Sequence, residues 1–212
     1  MTTIEVIKQN KIVAVIRHAN EQTIVPVLEA LSEGGVRVVE ITAETSNVEK
    51  VIRTAVKHGP GDVCIGAGTV LDPETARTVM LAGATFIVSP TLNTDTLTLT
   101  NRYDVLNIPG VFSPTEIVTA YEHGAKMVKV FPANALGPNY IKNILGPLQQ
   151  VQAMVTGGIN LENMNDYLKN GSVAVGIGSS LVNVNKLKTD EDYRLLTVKA
   201  QEYVAKLSEL KA

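Results

Sequence analysis

The chain has 212 residues, 45% of them hydrophobic and 19% charged, with a formal net charge of -2. That length suits one domain with a substantial core and is short for two, and the interspersed charges leave no basic stripe or arm of the kind a nucleic-acid binder uses. One cysteine, Cys64, excludes an internal disulfide, and three scattered histidines give no metal-ligand spacing.

The N-terminal stretch MTTIEVIKQNKIVAVIRH (1–18) carries Glu5, Lys8 and Lys11 among short apolar runs. It fits neither a signal peptide nor a membrane span, so a cytoplasmic protein without a membrane partner is expected. From there β-branched runs alternate with amphipathic segments, with no linker or low-complexity stretch between them. The runs are KIVAVIR (11–17), VRVVEIT (36–42), DVCIGAGT (62–69), ATFIVSP (84–90), VLNIPGV (105–111), KMVKVFP (126–132), QAMVTGGI (152–159) and VAVGIGSS (173–180). Helices are predicted between and after them, beginning at segments such as DPETARTVMLAG (72–83) and SPTEIVTAYEHG (113–124). Asp, Ser or Asn caps, Pro in the first turn and a terminal Gly support those helices. The Thr-rich NTDTLTLTNRY (93–103) has the poorest helix formers. Cys64 lies in an apolar run, where a buried inert thiol is commoner than a catalytic one. Eight strand-plus-helix units in this length predict an α/β fold, a single-domain (β/α)8 TIM barrel over 1–212, with a doubly wound open sheet as the alternative.

In both folds ligands gather at the carboxyl ends of the strands, which bear Arg17, Glu40, Thr42, Thr69, Ser89 with Pro90, and Lys129. Strand side chains alternate faces, so Lys129 shares a face with Met127 and Phe131. A lysine there must pair, snorkel to water, or exist partly as the neutral amine, and the last option makes it a nucleophile. In VRVVEIT, Glu40 and Thr42 lie opposite Val39 and Ile41; if the more apolar side faces the helices, Glu40 points inward and converges with Lys129. A structural ion pair is the bland alternative, although stability rarely requires one. Arg17 is either a substrate contact or the first solvated residue after its strand, and Thr69 read alone is a capping residue. Finally, TGGI (156–159) and GIGSS (176–180) put small residues and backbone N–H groups at the ends of the seventh and eighth strands. Barrel enzymes frequently build a phosphate site there, and plain turn chemistry is the alternative.

These residues, together with GGVRVVEIT (34–42), IGAGTVLDP (65–73), FIVSP (86–90), PGVFSPTE (109–116) and VKVFPAN (128–134), closely resemble the class I 2-keto-3-deoxy-6-phosphogluconate (KDPG) aldolases, also described as 4-hydroxy-2-oxoglutarate (KHG) aldolases. The likeness covers nearly the whole chain. It implies a (β/α)8 barrel, commonly a homotrimer, acting on a small keto acid or sugar phosphate with no cofactor and no metal. By the same resemblance Lys129 forms the Schiff base and Glu40 shuttles protons. Thr69 holds substrate near the imine, Pro90 and Phe131 wall the site, Thr156 joins them in binding substrate, and Gly157, Gly158, Gly178 and Ser179 bind phosphate. The expected reactions are cleavage of KDPG to pyruvate and glyceraldehyde 3-phosphate, of its phosphogalactonate epimer, or of 4-hydroxy-2-oxoglutarate to pyruvate and glyoxylate. One departure stands out: many members place an arginine four residues after the glutamate, where this chain has Glu44. An acid cannot replace a guanidinium clamp. Some relatives carry an arginine at the end of the first strand instead, and Arg17 occupies that place. The resemblance therefore implies that Arg17 anchors the carboxylate, with Glu44 a solvent-facing or substrate-tuning residue. Asn134, where several relatives have Glu, receives no role. The rival readings are a sugar-phosphate isomerase or synthase barrel with Lys129 as a charged clamp, and a non-catalytic phosphometabolite-binding protein.

Overall fold

The structure, a computed structural model, describes residues 1–210. Its elements run α1 (Thr3–Asn10), β1 (Ile12–Ile16), α2 (Ile24–Glu33), β2 (Val38–Thr42), α3 (Val48–His58), β3 (Cys64–Gly68), α4 (Pro73–Ala82), β4 (Phe86–Val88), α5 (Thr94–Arg102), β5 (Leu106–Ile108), β6 (Gly110–Val111), α6 (Pro114–Glu122), β7 (Val128–Val130), α7 (Pro138–Leu145), β8 (Ala153–Thr156), α8 (Met164–Lys169), β9 (Ala174–Ile177) and α9 (Asp190–Lys206). The strands pair in parallel in the order β5-β4-β3-β2-β1-β9-β8-β7-β6. Among the described residues, no helix is long and apolar enough to cross a membrane.

The predicted fifth strand, VLNIPGV, is two strands. Pro109 has no N–H for a ladder, and the chain changes partners there: β5 pairs back to β4 through Phe86 opposite Leu106, whereas β6 pairs forward to β7 through Gly110 opposite Lys129. The Pro109 carbonyl still accepts from the Lys129 N–H at 2.8 Å. Because β5 and β6 are continuous through Pro109, the nine-stranded order closes into a ring, which is the eight-unit barrel with one strand broken in the middle.

Alternation along the strands separates two apolar clusters. Ile12, Ala14, Ile16, Val39, Ile41, Ile87, Val128, Val130, Val155, Val175 and Ile177 pack outward against the helices. Val13, Val38, Phe86, Val88, Ile108, Met127, Met154 and Ala174 fill the inside with Ile7 of α1. Helix α1, an element absent from the strand-and-helix reading, closes the N-terminal end of the barrel with this fully buried isoleucine. Burying such a side chain is worth about 1.5–3 kcal/mol. The interior is therefore apolar from below, and its polar residues sit higher, toward the carboxyl ends.

The helices begin where their caps require. Asp72 accepts from the Thr75 N–H at 2.6 Å, Asn93 accepts from the Thr96 N–H at 2.9 Å, and Ser113 forms a capping box with Glu116. In α5 the threonine hydroxyls donate back along the helix, Thr98 to the Thr94 carbonyl at 2.9 Å and Thr100 to the Thr96 carbonyl at 3.0 Å. Burial of Leu97 and Thr100 holds this poor helix former in place.

Candidate active site

Glu40 and Lys129 both face the barrel interior, as alternation predicted, and both are nearly inaccessible, at 1% and 4% exposure. Glu40 lies level with Val15 on one side and Gly66 on the other, Lys129 level with Met154 and Gly110. In the strand order β2 and β7 are separated by β1, β9 and β8. The two charges therefore approach from well-separated strands of the ring. Lys129 takes part in none of the ion pairs found among the described residues, and Oε2 of Glu40 is buried without a hydrogen-bond partner. The simple structural ion pair is thus not what the fold builds.

Burial pushes the Lys129 amine below its ordinary range, and the Arg17 charge adds to this, while the carboxylates of Glu40 and Glu44 oppose it. Burial likewise pushes the Glu40 carboxyl up, against the opposing pull of Lys129 and Arg17. Desolvation is the largest cause in both cases, and it disfavours whichever form is charged. One residue gains nucleophilic character and the other comes closer to exchanging a proton near neutrality. The Lys129 Nζ stands 4.9 Å from the centre of the Phe131 ring.

Above this pair opens a cavity of about 280 Å³ lined by Arg17, Phe131, Thr156, Gly158, Gly178 and Ser179, among others. Phe131 links the cavity to Lys129. Gly157 and Gly158 adopt φ of 99° and 71°, the left-handed region where glycine is at ease. Among the described residues, the N–H groups of Gly158, Ser179 and Ser180 donate to no protein acceptor. The expected phosphate residues Gly157, Gly158, Gly178 and Ser179 accordingly share one cavity with Thr156, whose hydroxyl is buried and unpartnered. A somewhat larger cavity of about 330 Å³, with Thr3, Ile4, Asp104 and Lys126 in its wall, lies at the end where α1 packs. Its wall comes from α1 and from the segments that enter β5 and β7, away from the carboxyl ends of the strands, so position rather than size identifies the site.

The remaining expected residues fall at the rim. Arg17 follows β1 directly, and its side chain is 43% exposed and bonded to Glu44 at 2.5 Å. Thr42, the last residue of β2, ties the two strand ends together by donating to the Ile16 carbonyl at 3.3 Å. Thr69 has left β3, has φ of 56°, and lines a separate cleft with Glu44 and Asp72. Pro90 follows β4, and the lining of the cavity beside Phe131 includes neither it nor Thr69, as it also lacks Glu40 and Lys129. Residue-by-residue reading missed three features. Glu44 holds Arg17; Gly68 makes room for Glu40; and Asn134, left without a role, packs on Gly158, where an added Cβ would lie 2.8 Å from its Cγ. The parity of β3 could have revealed Gly68, since it shares the inward face with Gly66.

Known proteins share this fold. The family model described as KDPG and KHG aldolase matches residues 3–198. The KHG/KDPG aldolase of Escherichia coli (strain K12) is 39% identical over 85% of this chain and 84% of its own length. The 2-dehydro-3-deoxy-phosphogluconate aldolase of Treponema pallidum (strain Nichols) is 34% identical over 95% of this chain and 96% of its own. Among solved structures, the KDPG aldolase of Legionella pneumophila, with pyruvate captured as a covalent carbinolamine intermediate, superposes with a TM-score of 0.84 at 31% identity, covering 92% of this chain and 95% of that one. With the family model spanning nearly every element of the barrel, this chain belongs to the KDPG and KHG aldolase family.

Proposed function

We propose that the protein is a class I aldolase that cleaves KDPG to pyruvate and glyceraldehyde 3-phosphate, and 4-hydroxy-2-oxoglutarate to pyruvate and glyoxylate. The observation that carries this reading is a buried lysine without a carboxylate partner on the same inner surface as a buried, unsatisfied glutamate. The neutral Lys129 amine adds to the C2 carbonyl of the keto acid. Loss of water from the resulting carbinolamine gives a protonated imine, which draws electrons from the C3–C4 bond. Glu40 takes the proton of the C4 hydroxyl as that bond breaks; the aldehyde departs, and an enamine remains on Lys129. Glu40 then returns a proton to C3, and water releases pyruvate and the free amine.

Arg17 anchors the C1 carboxylate in this proposal, since it is the guanidinium lining the cavity. Phe131 and Thr156 border the imine, and the turns at Gly157, Gly158, Gly178 and Ser179 receive the phosphate through their N–H groups. By resemblance to the family, Thr69 holds the substrate near the imine and Pro90 walls the site. A homotrimer belongs to the same proposal; exposed Phe112 and Val118 offer apolar surface for such contacts. Borohydride reduction in the presence of pyruvate, followed by peptide mapping, tests the imine. A reduced adduct on the peptide containing Lys129, absent from Lys129→Met, is the expected result. A folded wild-type protein that traps nothing would instead favour a charged Lys129 in an isomerase-like site.

A further inference from the structure

Arg17 reaches in two directions. Its side chain lines the 280 Å³ cavity together with Phe131 and Thr156, whereas its one ion-pair partner, Glu44, is not part of that lining. Glu44 grips from outside, and it does so at one point: a single bond from Nη1 to Oε1 at 2.5 Å. A guanidinium carries five N–H donors in a rigid fork, so most of the fork stays available to a second carboxylate. Among the described residues, Arg17 has no other hydrogen-bond partner. Both side chains are partly open to solvent, at 43% and 35% exposure, and an open pair of this kind contributes little to stability. Fold stability therefore does not account for the pair.

We propose that Glu44 is a positioning residue that sets substrate specificity: it holds the Arg17 guanidinium at the cavity wall with a donor edge free, so that 2-keto acids bind to an arginine already in place. This rests on the reading of Arg17 as the carboxylate anchor. A long side chain with one tether gone must be immobilised anew each time substrate binds, and that ordering weakens binding by about 2- to 10-fold. The effect is confined to ligands that use the guanidinium. Glu44 also raises the Lys129 pKa, but that influence falls on every carbonyl ligand alike, whereas the loss through the guanidinium falls only on ligands with a carboxylate.

The experiment measures the concentration of pyruvate that gives half-maximal borohydride trapping, with pyruvamide as the neutral analogue lacking the carboxylate. Glu44→Ala is expected to raise the half-saturating concentration of pyruvate about 2- to 10-fold relative to that of pyruvamide, since any shift of the Lys129 amine acts on both ligands alike. Glu44→Gln, which keeps an acceptor oxygen, recovers most of the loss. Arg17→Ala raises this pyruvate-to-pyruvamide ratio further, and adding Glu44→Ala to it leaves the ratio unchanged, because Glu44 reaches the carboxylate only through Arg17. If Glu44→Ala lowers or leaves the ratio while Arg17→Ala raises it, Glu44 is a competitor or a bystander; this proposal fails and the anchor stands. If Arg17→Ala has no effect on the ratio, the anchor itself is wrong and the proposal goes with it.

Discussion

Imine formation needs the unprotonated amine, and the surroundings of Lys129 decide at what pH that form is common. Burial and the Arg17 charge lower its pKa, while Glu40 and Glu44 raise it. The rate of pyruvate trapping should consequently persist below the pH range of an ordinary lysine before it falls along an acid limb. Neutralising a carboxylate that raises the pKa moves the limb to lower pH; removing a cation that lowers it moves the limb up. Glu40→Gln and Arg17→Met should shift the limb in these opposite directions, measured as trapping rate against pH at saturating pyruvate. A shift of both in the same direction would contradict this assignment of the charges. The facing of Lys129 and Glu40 was legible in the sequence because alternation is local: Met127 and Phe131 flank one, Val39 and Ile41 betray the other. The Arg17–Glu44 pair was not, because its partners lie 27 positions apart and meet only through the loops that leave β1 and β2.

Elements set how much room the reacting groups have. Gly68 closes β3 beside β2, and a Cβ there would meet Glu40 Oε1 at 2.7 Å and its Cδ at 2.9 Å. No real Cβ sits that close, so Gly68→Ala must push the carboxylate off its position in a barrel with little slack. The expected outcome is a fall in kcat of about 10- to 100-fold, as for a misplaced catalytic group, with a melting temperature lowered by about 2–4 °C for each kcal/mol of overpacking. Gly61→Ala, at a position where the added Cβ meets nothing, is the control and should match wild type. Equal kcat in both variants would mean that Glu40 does not need its present position. At this scale the sequence conveyed the number and order of the units and the capping signals of α4 and α6, since these are local chemistry. It did not convey that VLNIPGV divides at Pro109, because the partner on each side is chosen by ring closure. Nor did it show that Thr69 leaves β3 in the left-handed region, with φ of 56°, a conformation uncommon for a β-branched residue.

The whole barrel is polarised along its axis: Ile7, Val13, Met127 and Met154 fill one end, and the buried charges and glycine turns occupy the other. Along the cavity, Phe131 beside Lys129 lies at one side and Ser179 with the Gly157–Gly158 turn forms another. A substrate gripped at both places gains binding from its phosphate that a shorter one cannot gain. Ser179 is exposed, so an acid placed there leaves the core intact but puts a negative charge where the phosphate is expected. Ser179→Asp should raise KM for KDPG by about 10- to 100-fold, the loss of a hydrogen bond to a charged group. For 4-hydroxy-2-oxoglutarate, which ends in a C5 carboxylate and has no phosphate to meet the new charge, kcat/KM should fall far less than for KDPG. Steady-state kinetics on the two substrates separates the cases. Loss confined to KDPG fixes the phosphate at the ends of β8 and β9. Equal loss on both would mean that Ser179 touches what the two substrates share, and the phosphate would have to be sought elsewhere on the rim.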